Sequence, residues 1–171
     1  MRAKKLPVRL AAMAGFVGAG ESLADIGADH GYLPIHLVRE GRSPFAILTD
    51  ANPGPLEKTR ASVAAAIGPA ANGMDAPRIS IRLGDGLAPV GAAEVDTVVI
   101  AGMGGKTIAA ILAADLAKTR SFKKFVLQPR TKAGVLKTWL ENAGFEILAK
   151  TAAEERGRLC DIVVCAPKGV K

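Results

Sequence analysis

Aromatic residues are scarce in this sequence: one Trp, one Tyr and five Phe among 171 residues. A core must therefore be built mainly from Ala, Val, Leu and Ile. Hydrophobic residues at 49% are enough for a folded rather than a disordered chain. Long apolar runs are missing as well. None approaches the roughly 18 to 20 residues of a membrane span. Pro7, Arg9 and Gly15 interrupt the stretch where the apolar part of a signal peptide would sit. Cysteine is limited to Cys160 and Cys165, five apart in a predicted strand, so the thiols point to opposite faces and cannot pair. Both are expected to be buried apolar thiols, and the cytoplasm is the expected compartment. Histidine is limited to His30 and His36, and no spacing of His, Cys and acids suggests a metal site.

Positive charge, by contrast, is in excess: 23 Lys and Arg against 16 Asp and Glu give a net charge of +7. That balance favours a polyanionic partner. The length suits one domain, residues 1–171, with one sizeable core.

Strand-like and helix-like runs alternate throughout. Helices are predicted over residues 6–18, 31–40, 55–67, 105–117 and 132–143, with Pro55 in the first turn of the third. Strands are predicted over 22–26, 45–49, 78–83, 95–101 and 124–128, and a loop rich in Gly, Pro and Asn over 68–77. Residues 145–149 and 159–166 read as an antiparallel pair. This pattern predicts a doubly wound, mostly parallel α/β sheet of seven strands, closed by the antiparallel terminal strand pair. No internal repeat or linker is visible.

Ligands of such sheets sit beyond the carboxyl ends of the strands, where strand order reverses. The first strand ends in Ala24-Asp25-Ile26-Gly27-Ala28-Asp29-His30-Gly31. Gly27 allows a backbone conformation closed to larger residues and a close ligand approach. A pyrophosphate would want bare N–H groups and no nearby anions. The G-x-G-x-x-G pattern is absent and Asp25 and Asp29 crowd the turn, which argues against a NAD-dependent oxidoreductase. A cationic ligand fits better, and S-adenosylmethionine carries both a sulfonium and an ammonium. Asp50 ends the second strand, 25 residues after Asp25, where an acid binds ribose hydroxyls. Asp85, between Gly84 and Gly86, can meet the exocyclic amine of an adenine. Three acids at the ends of three consecutive strands agree on one nucleoside cofactor.

The fourth strand runs into Ala101-Gly102-Met103-Gly104-Gly105. Enzymes that methylate exocyclic amines often carry an Asn- or Asp-Pro-Pro-aromatic motif here; this chain has glycines. Ring N1 of adenine has an in-plane lone pair and needs no proton removed before it attacks. An open glycine loop is consistent with that chemistry.

The runs Ala24 to Pro34, Arg82 to Leu87 and Ile100 to Gly105 resemble the bacterial tRNA adenine-22 N1-methyltransferase family, as do Leu127-Gln128-Pro129 and Asp161-Ile162-Val163-Val164. The resemblance extends over nearly the whole chain. It implies a class I, Rossmann-like methyltransferase fold, S-adenosylmethionine as cofactor with S-adenosylhomocysteine as product, and tRNA as partner. The cofactor residues it implies are Gly27, Asp29, His30, Asp50, Asp85 and Gly86; Asp25, Ala51 and Ala101 beside them are expected in the same site. Asp29, His30, Gly102 and Met103 would lie at the reacting centre. Tyr32, Gly104, Arg130 and Lys132 would face the substrate. The family carries a helical extension after this domain, for which the five residues after Ala166 leave no room.

Residues 118–137 hold seven basic residues and no acid. Arg130 and Lys132 follow the fifth strand on the active-site side. Lys118, Arg120, Lys123 and Lys124 precede it and are expected at the opposite end, as a solvated face. The basic segment 1–9 is placed to flank the crevice. His36 falls on another helix face from His30 and has no expected role. A methyltransferase of a protein or small molecule would carry the same cofactor site. A non-catalytic RNA-binding module is disfavoured by the intact acids. The oligomeric state is not fixed by the sequence.

Overall fold

The computed structural model describes residues 6–68 and 78–169. Along them run α1 (Val8–Ala14), β1 (Leu23–Ile26), α2 (Tyr32–Arg39), β2 (Ala46–Asp50), α3 (Pro53–Ile67) and β3 (Ile79–Leu83). Then come β4 (Thr97–Gly104), α4 (Gly105–Ala113), α5 (Leu116–Thr119), β5 (Lys124–Thr131), α6 (Ala133–Asn142), β6 (Phe145–Glu155) and β7 (Arg158–Pro167). The strands form one sheet in the order β3-β2-β1-β4-β5-β7-β6. The first five are parallel, and β7 is antiparallel to both β5 and β6. The expected seven-stranded α/β sheet is the observed one.

Strand residues alternate between two apolar layers. Leu23, Leu48, Val99 and Val126 pack with Met13, Leu33 and Leu56 from α1, α2 and α3. Their neighbours Ala24, Ile47, Val98 and Phe125 pack with Ile108, Leu112 and Leu136 from α4 and α6. Burial on both faces is why these strands read as continuous apolar runs. The few aromatics are concentrated rather than spread. Phe125 meets Phe122 and Phe145 edge to face, with centroids 6.1 and 5.8 Å apart, and Trp139 lies 6.0 Å from Phe145. Each such pair adds about 0.5–1.5 kcal/mol beyond its area.

Several boundaries differ from expectation. Helix α1 stops at Ala14, where the Gly15 N–H bonds back to the Ala11 carbonyl. Helix α3 begins at Pro53, so Pro53 rather than Pro55 takes the first position. The helix after β4 breaks at Ala114, and Asp115 caps the short α5 through the Lys118 N–H at 3.0 Å. The glycine stretch after Ala101 is not a free loop. It continues β4 with an irregular register against β5. Apart from Gly68, the expected loop 68–77 lies outside the described residues.

The terminal strand pair is longer than expected. Arg156 and Gly157 both have positive φ, 51° and 73°, which suits a two-residue hairpin turn. Only Val163, Val164 and Cys165 of β7 pair with β5, so the rest of the hairpin projects past the sheet. Cys160 lies on that projection and is partly exposed, which corrects the expected burial of both thiols. Cys165 is buried, and burial pushes its thiol up to about 12.

At the amino end of the sheet, Glu21 accepts from Thr97 Oγ1 at 2.8 Å and pairs with Lys124 Nζ at 2.7 Å. Asp96 accepts from the Ser22 N–H at 2.9 Å and pairs with Lys123 at 2.7 Å. Lys123 and Lys124 thus tie strands together rather than forming a purely solvated face. The Lys123 hydrogen bond holds the Asp96 carboxyl down at about 2.

Candidate active site

Strands β2 and β4 flank β1, and their following segments leave the sheet on opposite sides. A cleft of about 1990 Å³ opens there, beyond the carboxyl ends of the strands.

The turn after β1 is pinned to β2. The Gly27 and Ala28 N–H groups both donate to the Thr49 carbonyl, at 2.9 and 3.0 Å. Gly27 has φ +71°, a conformation that favours glycine, and a β-carbon there would also have to push aside the Met103 methyl. His30 and Gly31 follow with φ +61° and +64°. Two consecutive left-handed residues bend the chain sharply into α2.

Asp25, Asp29, Asp50 and Asp85 all line the cleft. Asp25 is buried, which pushes its carboxyl up to about 7 against an opposing pull from the Arg9 cation. Asp29 is 80% exposed, and its Oδ1 lies 3.6 Å from His30 Nε2. Asp50 accepts the Asn52 N–H on Oδ1 at 2.8 Å, and its backbone carbonyl accepts the Gly84 N–H at 2.9 Å. The acids of β2 and of the turn after β3 are thereby held side by side.

Gly27, Ala51, Gly86, Ala101, Gly102 and Met103 line the same cleft, and so do Tyr32 and Arg130. Three expected residues are not part of the lining. The His30 ring stacks on Tyr32 with centroids 5.2 Å apart, because its left-handed backbone turns it against that ring. Gly104 faces Thr131. Lys132 sits at the start of α6 in a left-handed conformation, with its carbonyl packed against Gly105.

Other lining residues lie beyond the expected site residues, although Arg9 falls in the basic segment expected to flank the crevice and Gln128 in the Leu127-Gln128-Pro129 run. Arg9 donates through Nη1 to Gln128 Oε1 at 2.9 Å and through Nε to Glu155 Oε2 at 3.3 Å. Gln128 Oε1 also accepts the Gly102 N–H at 3.1 Å. A glutamine inside an apolar strand was the available signal. Arg156 and Arg158 on the hairpin line the cleft along with Arg130, and nothing local in the sequence marks them. Lys118 also lines the cleft, contrary to its expected place, and its Nζ donates to the Leu87 carbonyl at 3.2 Å. Among the described residues, no group of three or more His, Cys, Asp or Glu could hold a metal ion. No helix among them is long and apolar enough to cross a membrane.

Residues 6–163 match the methyltransferase-domain family. The tRNA (adenine(22)-N(1))-methyltransferase of Bacillus subtilis is 33% identical over 164 residues, covering 96% of this chain and 66% of that protein. The chain thus spans about two thirds of that relative's length. A Streptococcus pneumoniae protein solved with S-adenosyl-L-methionine superposes with a TM-score of 0.89 at 35% identity, over 98% of this chain and 75% of that one. Mycoplasma capricolum TrmK, solved with S-adenosyl-homocysteine, superposes with a TM-score of 0.82 at 26% identity, over 96% of this chain and 70% of that one. The match of the domain model over most of the chain, with relatives above 30% identity along it, places the chain in the methyltransferase-domain family, in the branch of the tRNA (adenine-22-N1)-methyltransferases.

Proposed function

We propose that this chain transfers a methyl group from S-adenosylmethionine to ring N1 of adenine 22 in tRNA. The observation that carries the reading is the split polarity of one cleft. Asp25, Asp29, Asp50 and Asp85 line it at the strand ends, and Arg130, Arg156 and Arg158 line it from the end of β5 and the β6–β7 hairpin, beside Glu154 and Glu155. A cationic nucleoside suits the strand-end acids and a polyanion suits the arginines. The names of the relatives and the cofactors bound in their structures support the same reading.

The donor set fits the cofactor. Asp25 and Asp29 are the carboxylates for its ammonium and sulfonium end, Asp50 for ribose hydroxyls, and Asp85 for the adenine amine. Gly27, Ala51 and Ala101 leave room for it, and Gly86 bends the chain beside Asp85. When bound, the cofactor supplies an electrophilic methyl group. The residues around it need to place a base rather than activate one, since N1 carries a free lone pair. A β-carbon on Gly102 would meet nothing within 4 Å, so the chain leaves open space beside Met103 for an incoming base. Asp29, largely exposed at this point, stabilises the positive charge that adenine gains on methylation. Tyr32 offers a ring edge at the same mouth, and His30 holds that ring by stacking. Arg130, Arg156 and Arg158 hold phosphates flanking the base. Lys132 and Gly104 act at most on the backbone beside the site.

The test is incubation of the purified chain with S-adenosylmethionine and unmodified tRNA, followed by mass spectrometry of the nucleosides. N1-methyladenosine at position 22 is expected. Cofactor binding without any methylated nucleoside would overturn the tRNA assignment and leave a methyltransferase of another substrate.

A further inference from the structure

Arg9 is the point at which four parts of the site meet. Its guanidinium bonds Gln128 of β5 and Glu155 of β6, and its charge acts on the buried Asp25 of β1. Through Gln128 it also reaches Gly102 of β4, since one amide oxygen accepts from both Arg9 and the Gly102 N–H. Gln128 is 2% exposed, and its Nε2 donates to the Pro129 carbonyl at 3.0 Å. The amide therefore has one orientation that satisfies all its partners. Gly102 has φ +74° and no side chain to brace it, so this N–H bond is the side-chain anchor that the structure gives its backbone.

We infer that Arg9 is a positioning residue: it orients the Gln128 amide so that Gly102 is held open for the incoming base, and it supplies the cation that keeps Asp25 ready for the positively charged cofactor. This rests on the cofactor reading given above and extends it to a residue which touches neither reacting group. Without Arg9, three costs fall together. The Gln128 amide is free to turn over, which removes the acceptor from the Gly102 N–H. The part-buried Glu155, whose Oε1 already lacks a hydrogen-bond partner, is left without the cation it pairs with. Asp25 loses the cation that opposes its burial. Arg9 is the charge that acts on Asp25, while Asp29, Asp50, Asp85, Glu155 and Arg130 line the same cleft.

The test compares wild type, Arg9→Ala and Arg9→Lys in two measurements. One is the dissociation constant of S-adenosylmethionine across pH. The other is the amide hydrogen exchange rate of Gly102 in the cofactor-free protein. In the wild type, affinity falls as pH drops through the Asp25 titration, near about 7. In Arg9→Ala, that midpoint moves up, neutral-pH affinity drops about fivefold for the first unit of movement and about tenfold for each further one, and Gly102 exchanges faster. Arg9→Lys keeps the charge but lacks the planar fork, so its midpoint stays near wild type while Gly102 exchange is still accelerated. Because Lys is the milder change, it keeps the second measurement decisive if Arg9→Ala fails to fold. An unchanged midpoint in Arg9→Ala, or unchanged Gly102 exchange in Arg9→Lys, overturns the inference. A wild-type chain that does not bind S-adenosylmethionine at all overturns the cofactor reading itself, and with it this inference.

Discussion

Gly27 at the end of β1 and Met103 at the end of β4 touch across the floor of the cleft so closely that a β-carbon on Gly27 would overlap the Met103 terminal methyl. The two strands are neighbours in the sheet, but the Met103 methyl is the far end of a flexible side chain and can turn aside, so the left-handed φ of Gly27 is the larger part of the constraint. Gly27→Ala is expected to cost about 1–3 kcal/mol in stability and to weaken cofactor binding. Adding Met103→Ala should recover the part due to overlap and leave the part due to φ +71°. Thermal melts and calorimetry on the two single variants and the double variant would measure the coupling; strictly additive effects would show that the pair carries no strain.

Gly105 opens α4 against the backbone of Lys132, which opens α6. A β-carbon there would overlap the Lys132 carbonyl, a main-chain group with little freedom to move. Alanine is the better helix former by nearly 1 kcal/mol, yet Gly105→Ala should destabilise the chain by about 1–3 kcal/mol. Denaturant unfolding decides between the two effects, and a stabilised variant would mean that the two helix starts can separate.

Asp25 gives a sign that can be checked. Its carboxyl sits at about 7 when folded against an ordinary 3.8. Between those values the folded chain holds a proton that the unfolded chain has lost, so burying Asp25 lowers stability progressively as pH rises through the window. Above it the penalty is on the order of 4 kcal/mol. Asp25→Asn should therefore stabilise the protein at neutral and alkaline pH, do little below the lower value, and still lose affinity for S-adenosylmethionine. Unfolding curves of both proteins over pH test it, and a stability difference independent of pH would refute the assignment.

Arg156 and Arg158 are predicted to act on RNA rather than on the fold. Replacing both with Ala should weaken tRNA binding and reduce the slope of log affinity against log salt by about one for each phosphate no longer neutralised. Arg130→Ala should behave likewise, whereas Lys132→Ala, away from the cleft lining, should leave the slope unchanged. Filter binding at several salt concentrations measures this. Equal slopes for wild type and the double variant would remove the hairpin from the RNA surface.

The sheet and the acids of its floor were legible because each depends on local pattern. Val95 to Ala101 is apolar almost throughout since β4 is buried on both faces, and Asp25, Asp50 and Asp85 lie at or just beyond strand ends. What escaped depends on distance through space. Arg9 and Glu155 are 146 residues apart, and no periodicity links them. The extra length of β6 and β7 was invisible because Ala152 and Glu154 have weak strand propensity, and their pairing partners hold them. His30 was placed in the site by its motif, and the structure puts its ring against Tyr32, a cleft-lining residue, rather than in the lining itself.

The Arg9 to Glu155 pair has a consequence for how the protein is made. A ribosome emits α1 early and the β6–β7 hairpin last among the described elements. Most of the sheet can assemble before then, but one lip of the cleft is completed only when residue 155 has left the exit tunnel and found Arg9. Until that moment Arg9 lacks the carboxylate that helps hold it over the acids of the floor. A stalled or prematurely released fragment should therefore fold much of its sheet and still bind the cofactor poorly, a contrast that places the last step of maturation at the hairpin.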